Sequence, residues 1–459
     1  MSKNKKRQMI WYQVDDGEAV SRQLEKMARK GWLLEEADNL FYTYRRSEPS
    51  AVRYTVTFFP DASCFDSGLL EGQETYAEYC RAAGWELAAF YGPVQYFRTA
   101  DPYAPPIETD ETVKLTSIRR TMRKSFVVTY TLLLLCPVIA FALNHYDAAT
   151  FFYSNMLLSV ALLMLGIFFC SIGMLGDYLI WLLRSQYAVK HGGRCKKPHT
   201  RFRLTLNALM VVVCGIWVIG YMTGDAWMRG FQMIRLAVYL GCFALGRWFL
   251  RKLKANNTSR DNARAAYFAF AITGSLIIGI GASFLFFWLS DAGIIRTKRE
   301  PAETYVYTSP DGSFAYPRDV YYDALPITLE DLGYTVTPND HCSYEETGER
   351  SLLAVHRQYY QRALNFESSL PDLYLQTYDS QWEWILEKSW EALIAKDASR
   401  YDPPIMERLD PAPWGASEAY RQAGLTSYYL YYPSRIVAFR LSGEATAQQL
   451  GAIAQALYP

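Results

Sequence analysis

The sequence predicts a multi-domain membrane protein: an α+β amino-terminal domain of ferredoxin-like (βαββαβ) plan, an α-helical transmembrane bundle, and an α+β carboxyl-terminal domain. Three observations carry this prediction. Apolar residues are concentrated between about Phe126 and Leu289, in five long runs. Two stretches near the amino terminus, KGWLLEEADNLFYTYRR (30–46) and AGWELAAFYGPVQYFRT (83–99), are near copies of each other. Beyond about Arg296 the balance of charge turns acidic and lysine becomes rare, as in an ordinary folded domain. The resulting division is a cytoplasmic domain at 1–110, a basic juxtamembrane segment at 111–125, a membrane region at 126–290 and an outer domain at 291–459.

The first domain follows from the repeat. Its alignment puts Gly31 on Gly84, Trp32 on Trp85, Leu34 on Leu87, Tyr44 on Phe97 and Arg45 on Arg98. Before each glycine, apolar residues recur at helical spacing: Val20, Leu24, Met27 and Ala28 in the first copy, Tyr76, Cys80 and Ala83 in the second. Glycine after such a run supplies the left-handed stop of a helix. The tryptophan behind it opens a strand and folds back as a lid on that helix. Strand signals precede both helices, QMIWYQV and VRYTVTFF. Two β-α-β halves of one pseudo-twofold sheet are therefore expected. The aromatics LFYTYRR do not match the signature of a sheet that stacks RNA bases, and acids and bases nearly cancel over this region, which disfavours nucleic acid, so no nucleic-acid partner is expected.

The membrane region holds spans at about Phe126–Leu143, Met156–Leu183, Leu204–Met222, Phe231–Leu250 and Ala266–Leu289. Its loops set the orientation. KLTSIRRTMRKS before the first span and the loop from Arg184 to Arg203 after the second are basic and without acids. The loop after the fourth holds Arg251, Lys252, Lys254, Arg260 and Arg264 against Asp261, whereas NHYDAATFFYS has no lysine or arginine and TGDAWMRG only Arg229. Positive loops stay inside, which places the amino terminus in the cytoplasm and the carboxyl-terminal domain outside a multi-pass plasma-membrane protein. The segment IIRTKRE after the fifth span runs against this rule. Ala271, Ser275, Gly279 and Ser283 form a small-residue stripe of the kind that packs helices closely.

Asp177 in the second span and Arg247 in the fourth are ionisable residues at similar expected depth. An intramembrane carboxylate marks either an ion or proton site or a structural ion pair. With one carboxylate alone, an Asp177–Arg247 structural pair is the expectation.

In the outer domain, Thr328 caps a helix at ITLEDLGY with Asp331 three residues on. SQWEWILEKSWEALIAKD is an amphipathic helix with Trp382, Ile385, Leu386, Ser389 and Leu393 toward a core. SYYLYYPSRIVAFRL is a hairpin about Pro433 and Ser434, and ATAQQLGAIAQAL a last helix. The tyrosines at 359–360, 428–429 and 431–432, with Trp414, could bind a sugar or peptide, but alternating strand aromatics are expected to line a core. Glu345, Glu346 and Glu349 belong to a solvated turn.

No catalytic residue, cofactor site or metal site is expected. Cys64, Cys80, Cys136, Cys170, Cys195, Cys214, Cys242 and Cys342 show no CxxC and no regular spacing, and the histidines show no HExxH. There is no GxSxG, and His341–Cys342 is a lone dipeptide. The amino-terminal MSKNKKRQMIWYQVDD has no apolar core behind its bases and is not a secretory signal. The net charge of +1 gives no overall field.

The blocks LEKMARKGWLLEE…FYTYRR, VRYTVTFF and GWELAAFYGPVQYFR resemble the domain-of-unknown-function 2812 family, as do ALPITLEDLGY and WGASEAYR…YYLYYPSRIVAFRL in the tail. The resemblance implies a bacterial integral membrane protein, often encoded beside PadR-type repressors, and brings no catalytic residues with it. Folded domains on both faces of few-charged spans favour a sensory or regulatory protein. Its expected partners are the bilayer and a protein on the cytoplasmic side, with the outer ligand undefined. A transporter or channel component is the alternative, and an outer-face hydrolase the weakest reading.

Overall fold

The computed structural model of the chain describes residues 4–10, 12, 15–143, 148–222, 226–291, 299–308, 314–398, 406–422, 426–442 and 445–458. The chain divides into two compact units, one of residues 1–143, 162–217 and 230–294, the other of residues 144–161, 218–229 and 295–459.

The first unit opens with two βαββ repeats. They are β1 (Lys5–Met9), α1 (Gly17–Ala28), β2 (Trp32–Ala37) and β3 (Phe41–Arg46), then β4 (Arg53–Phe58), α2 (Glu71–Ala82), β5 (Glu86–Tyr91) and β6 (Val94–Thr99). Each repeat builds its own antiparallel three-stranded sheet, in the orders β1-β3-β2 and β4-β6-β5. This corrects the ferredoxin-like expectation of one sheet from two β-α-β halves. The strand opened by each Gly-Trp is followed by a tight turn that sends the chain straight back. In the first repeat Asp38 accepts hydrogen bonds from the N–H groups of Leu40 and Phe41 at 2.8 and 2.9 Å. In the second, Gly92 takes φ +54° before Pro93. Such short links join antiparallel neighbours and leave no length for a crossover. The first strand also lies earlier than QMIWYQV, part of which falls outside the described residues.

The repeat is nevertheless physical. Gly31 and Gly84 both take positive φ, +79° and +84°, directly after α1 and α2. Both sheets carry an irregularity at the same place, between Leu34 and Glu36 and between Leu87 and Ala89. Inward aromatics of the two repeats meet, with Tyr42 and Tyr96 edge-on at 5.7 Å between ring centres.

A long helical region follows. Asp110 caps α3 (Glu111–Met122) through the N–H groups of Thr112 and Val113. A wide turn at Arg123–Val127 carries α3 into α4 (Val128–Leu143). After the single turn α5 (Ala148–Phe151) come α6 (Asn155–Lys190), α7 (Thr200–Tyr221), α8 (Ala226–Ala255) and α9 (Arg260–Asp291). All five apolar runs thus lie in helices. Among the described residues three helices are long and apolar enough to cross a membrane: Glu111–Ala142, Asn155–Lys190 and Thr200–Gly220. The side chains of Ser275, Gly279 and Ser283, and most of IIRTKRE, lie outside the described residues. Met174, Tyr178 and Trp181 of α6 are buried in the same core as Leu24, Tyr44 and Tyr96.

The second unit pairs β7 (Glu303–Thr308) with β8 (Ala315–Val320) as a two-stranded ribbon. Its main body is a seven-stranded antiparallel sheet. The strands are β9 (Cys342–Arg350), β10 (Ala354–Ala363), β11 (Leu373–Ser380), β12 (Met406–Arg408), β13 (Glu418–Gln422), β14 (Ser427–Tyr432) and β15 (Arg435–Leu441). Their spatial order is β12-β13-β14-β15-β11-β10-β9. Alternation along β15 sends Ile436 and Ala438 to one face and Val437 and Phe439 to the other. Helix α10 (Glu383–Ala398) covers the first face with Ile385, Leu386 and Leu393, and α11 (Ala447–Ala456) the second with Ile453 and Ala454. Both helices and the hairpin at Pro433 match the sequence reading, except that Trp382 is 52% exposed. The helix expected after Thr328 does not form. Thr328 and Asp331 make their reciprocal hydrogen bonds, but Gly333 at φ +87° ends the segment within one turn.

Candidate functional site

Three loops of the amino-terminal repeats each present an aspartate to the basic end of a helix within the first unit. The loop before α1 ends in Asp15 and Asp16. Asp16 caps α1 by accepting from the Ala19 N–H at 3.2 Å, and its other oxygen accepts from the Thr200 hydroxyl at the start of α7. Asp15, fully buried at its side chain, accepts two hydrogen bonds of 2.7 Å from Nη1 of Arg203. Arg203 turns its Nε to Oδ2 of Asp177 on α6. The second oxygen of Asp177 lies 2.7 Å from Nδ1 of His199, and Nε2 of His199 lies 3.1 Å from Arg184. One guanidinium therefore joins the domain, α6 and α7 through two carboxylates, all three groups nearly excluded from solvent. Burial pushes the Asp15 carboxyl up, against the pull of Arg203.

The other two clamps are more exposed. Asp38, in the turn between β2 and β3, meets Arg247 of α8 at 2.5 Å, with Arg7 and Arg251 at 3.6 and 3.7 Å. Partial burial pushes the Asp38 carboxyl up. The N–H groups of Leu40 and Phe41 together with Arg247 outweigh that and hold it below its ordinary value. Asp66, between β4 and α2, accepts from the Ser63 N–H and takes a two-pronged contact from Arg260 of α9, at 2.6 and 2.9 Å.

The expected Asp177–Arg247 pair is thus corrected. Each residue has a partner, but Asp177 takes Arg203 and His199, and Arg247 takes Asp38. Equal depth along two helices says nothing of which faces meet, and α8 turns Arg247 toward the β2–β3 turn. The sequence did not single out Asp15, Asp38 or Asp66, and Arg203 and Arg260 entered only as loop bases that set orientation. Their only signals were an acid pair ahead of a helix and an arginine at the start of an apolar run.

The repeat residues are less equivalent than their letters. Trp85 is 2% exposed, donates from Nε1 to the Pro105 carbonyl at 2.7 Å and lies under Ala104 and Ile107. Trp32 is only partly buried, with Lys6 over its ring at 5.8 Å. A Cβ on Gly31 would stand 2.7 Å from the Ser47 carbonyl, whereas one on Gly84 would meet nothing nearer than Ala104 at 3.9 Å.

In the second unit His341 stacks on Tyr305 at 3.9 Å while Cys342 turns into the core. Burial pushes the Cys342 thiol up to about 11, which leaves it a thiol at neutral pH. Tyr359, Tyr428, Tyr429 and Tyr432 are buried as core aromatics. Among the described residues no group of three or more histidine, cysteine, aspartate or glutamate side chains could hold a metal ion.

No curated protein and no solved structure matches the chain. Residues 18–130 match the family described as protein of unknown function (DUF2812), a stretch that runs from α1 through both glycine–tryptophan strands into α4 and leaves the tail motifs beyond it. Over that stretch the chain is similar to the DUF2812 family.

Proposed function

We propose that the protein is a sensory or regulatory component of the plasma membrane, with its amino-terminal domain in the cytoplasm and its carboxyl-terminal domain outside. The observation that carries this reading is the Asp15–Arg203–Asp177 connection. A folded domain is tied to two membrane helices by buried, directional charges instead of hanging from a flexible linker. Such a connection transmits a shift of either helix to the start of α1, because buried ion pairs have few alternative arrangements. Asn155, which opens α6, and Tyr153 just before it make contacts within the second unit. Tyr153 is buried against His356 and Tyr378 and bonded to Ser389, and the Asn155 side chain bonds to the Leu352 N–H and the Arg350 carbonyl. A cytoplasmic protein partner completes the proposed relay.

A transport role needs an intramembrane carboxylate that can exchange its cargo, and Asp177 already has both oxygens engaged, by Arg203 and His199. The buried Cys342 thiol and the core-lining tyrosines likewise weigh against an outer-face hydrolase.

Hydrogen exchange of the full-length protein in lipid nanodiscs tests the relay. Asn155→Ala and Tyr153→Ala should both change protection in residues 15–30, far along the chain from either substitution. Unchanged protection there in both variants would refute a relay. A reporter active only outside the cell, fused after Pro459, tests the orientation, and activity of a cytoplasm-only reporter at that position would overturn it.

A further inference from the structure

We infer that the first unit carries a binding site for the headgroup phosphate of an anionic phospholipid, in the crevice between α1, α6 and α7. The crevice has a volume of about 1100 Å³. One wall is basic: Arg22 and Lys26, one helical turn apart on α1, face it together with Arg201 near the start of α7. All three are exposed, and none has an acidic partner among the described residues. This sets them apart from Arg203, Arg247 and Arg260, whose charges are spent on Asp15, Asp38 and Asp66.

Apolar lining comes from the helices that are long enough to cross a membrane, beside Asp177 and His199, which are paired with each other. Ile180 of α6 and Phe202 of α7 supply it and are 51% and 46% exposed, and Leu204 continues the surface. Gly176 also lines the crevice, and a Cβ there would meet nothing within 4 Å. The absent side chain therefore leaves open space instead of serving helix contact. Unpaired cations beside apolar helix surface, at the basic end of two spans, match a phosphate diester with its acyl chains attached. A free phosphate would use the cations and ignore the apolar lining.

The test compares full-length protein with Arg22→Gln/Lys26→Gln/Arg201→Gln and with Gly176→Leu. Each is reconstituted in phosphatidylcholine nanodiscs with and without phosphatidylglycerol, and lipid retention is read by native mass spectrometry. The wild type should retain phosphatidylglycerol over phosphatidylcholine. Each lost cation should weaken that preference by roughly fivefold. Gly176→Leu should reduce retention with every charge in place, and unfolding temperatures in phosphatidylcholine alone should stay unchanged for both variants. Inorganic phosphate should not displace the lipid. Equal retention by wild type and the triple variant would overturn the site. Full displacement by inorganic phosphate, or undiminished retention in Gly176→Leu, would show an anion site without a lipid.

Discussion

Arg203 on α7 donates from a single nitrogen to both oxygens of Asp15, 188 residues earlier in the chain, at 2.7 Å each. The same guanidinium turns to Asp177, so two carboxylates depend on one cation in a nearly dry site. Replacing Arg203 by Gln leaves Asp15 buried without a counter-charge and Asp177 with His199 as its partner, and loss of a buried counter-charge costs about 3–5 kcal/mol in comparable sites. Denaturant unfolding of the detergent-solubilised protein should show that loss. Asp177→Asn combined with Arg203→Gln should lose clearly less than the sum of the two. Asp177→Asn combined with Arg247→Gln should be additive within about 0.5 kcal/mol. Coupling in the second pair and additivity in the first would reverse the assignment.

Trp85→Ala removes a fully buried ring and its hydrogen bond to Pro105, and should cost about 3–5 kcal/mol. Trp32→Ala should cost less than half of that, because the ring is partly in solvent. Equal losses in chemical unfolding would mean that the two strands carry equivalent lids.

Gly31 and Gly84 share their positive φ, yet differ in what surrounds them. Alanine at either position pays about 1–2 kcal/mol for the left-handed backbone. Only at Gly31 does the new methyl also strike a carbonyl, that of Ser47. Gly31→Ala should therefore be the more damaging, measured by the shift in unfolding temperature, and the opposite order would contradict the packing described.

His356 of β10 stacks on Tyr378 at 4.1 Å, and burial pushes its imidazole down to about 4. A histidine held neutral in the folded state stabilises fully above its unfolded value of about 6.5 and loses that contribution as pH falls toward 4. In this window the unfolded chain binds the extra proton, so stability should drop with acidification by about 3 kcal/mol from this residue alone. Unfolding midpoints measured from pH 7.5 to 4 should show the drop, and His356→Phe should flatten it. An unchanged slope in the variant would place the acid sensitivity elsewhere.

Local and periodic features of this protein were determined by its sequence. Both glycine stops, the five apolar helices, α10, the hairpin at Pro433 and the final capped helix each depend on residues within a few positions of one another. Backbone conformation, helical periodicity and apolar length act at that range, so they are legible in one dimension. Only the tertiary structure decided that the repeats are βαββ units, since the sequence marks a strand without stating which neighbour it will pair with. The partners of Asp177 and Arg247 were decided there too. An ion pair is chosen by which faces of distant elements come together. Asp15 meets Arg203 because the cap at Asp16 fixes the start of α1 beside α7, and no spacing over a separation of 188 positions encodes that encounter.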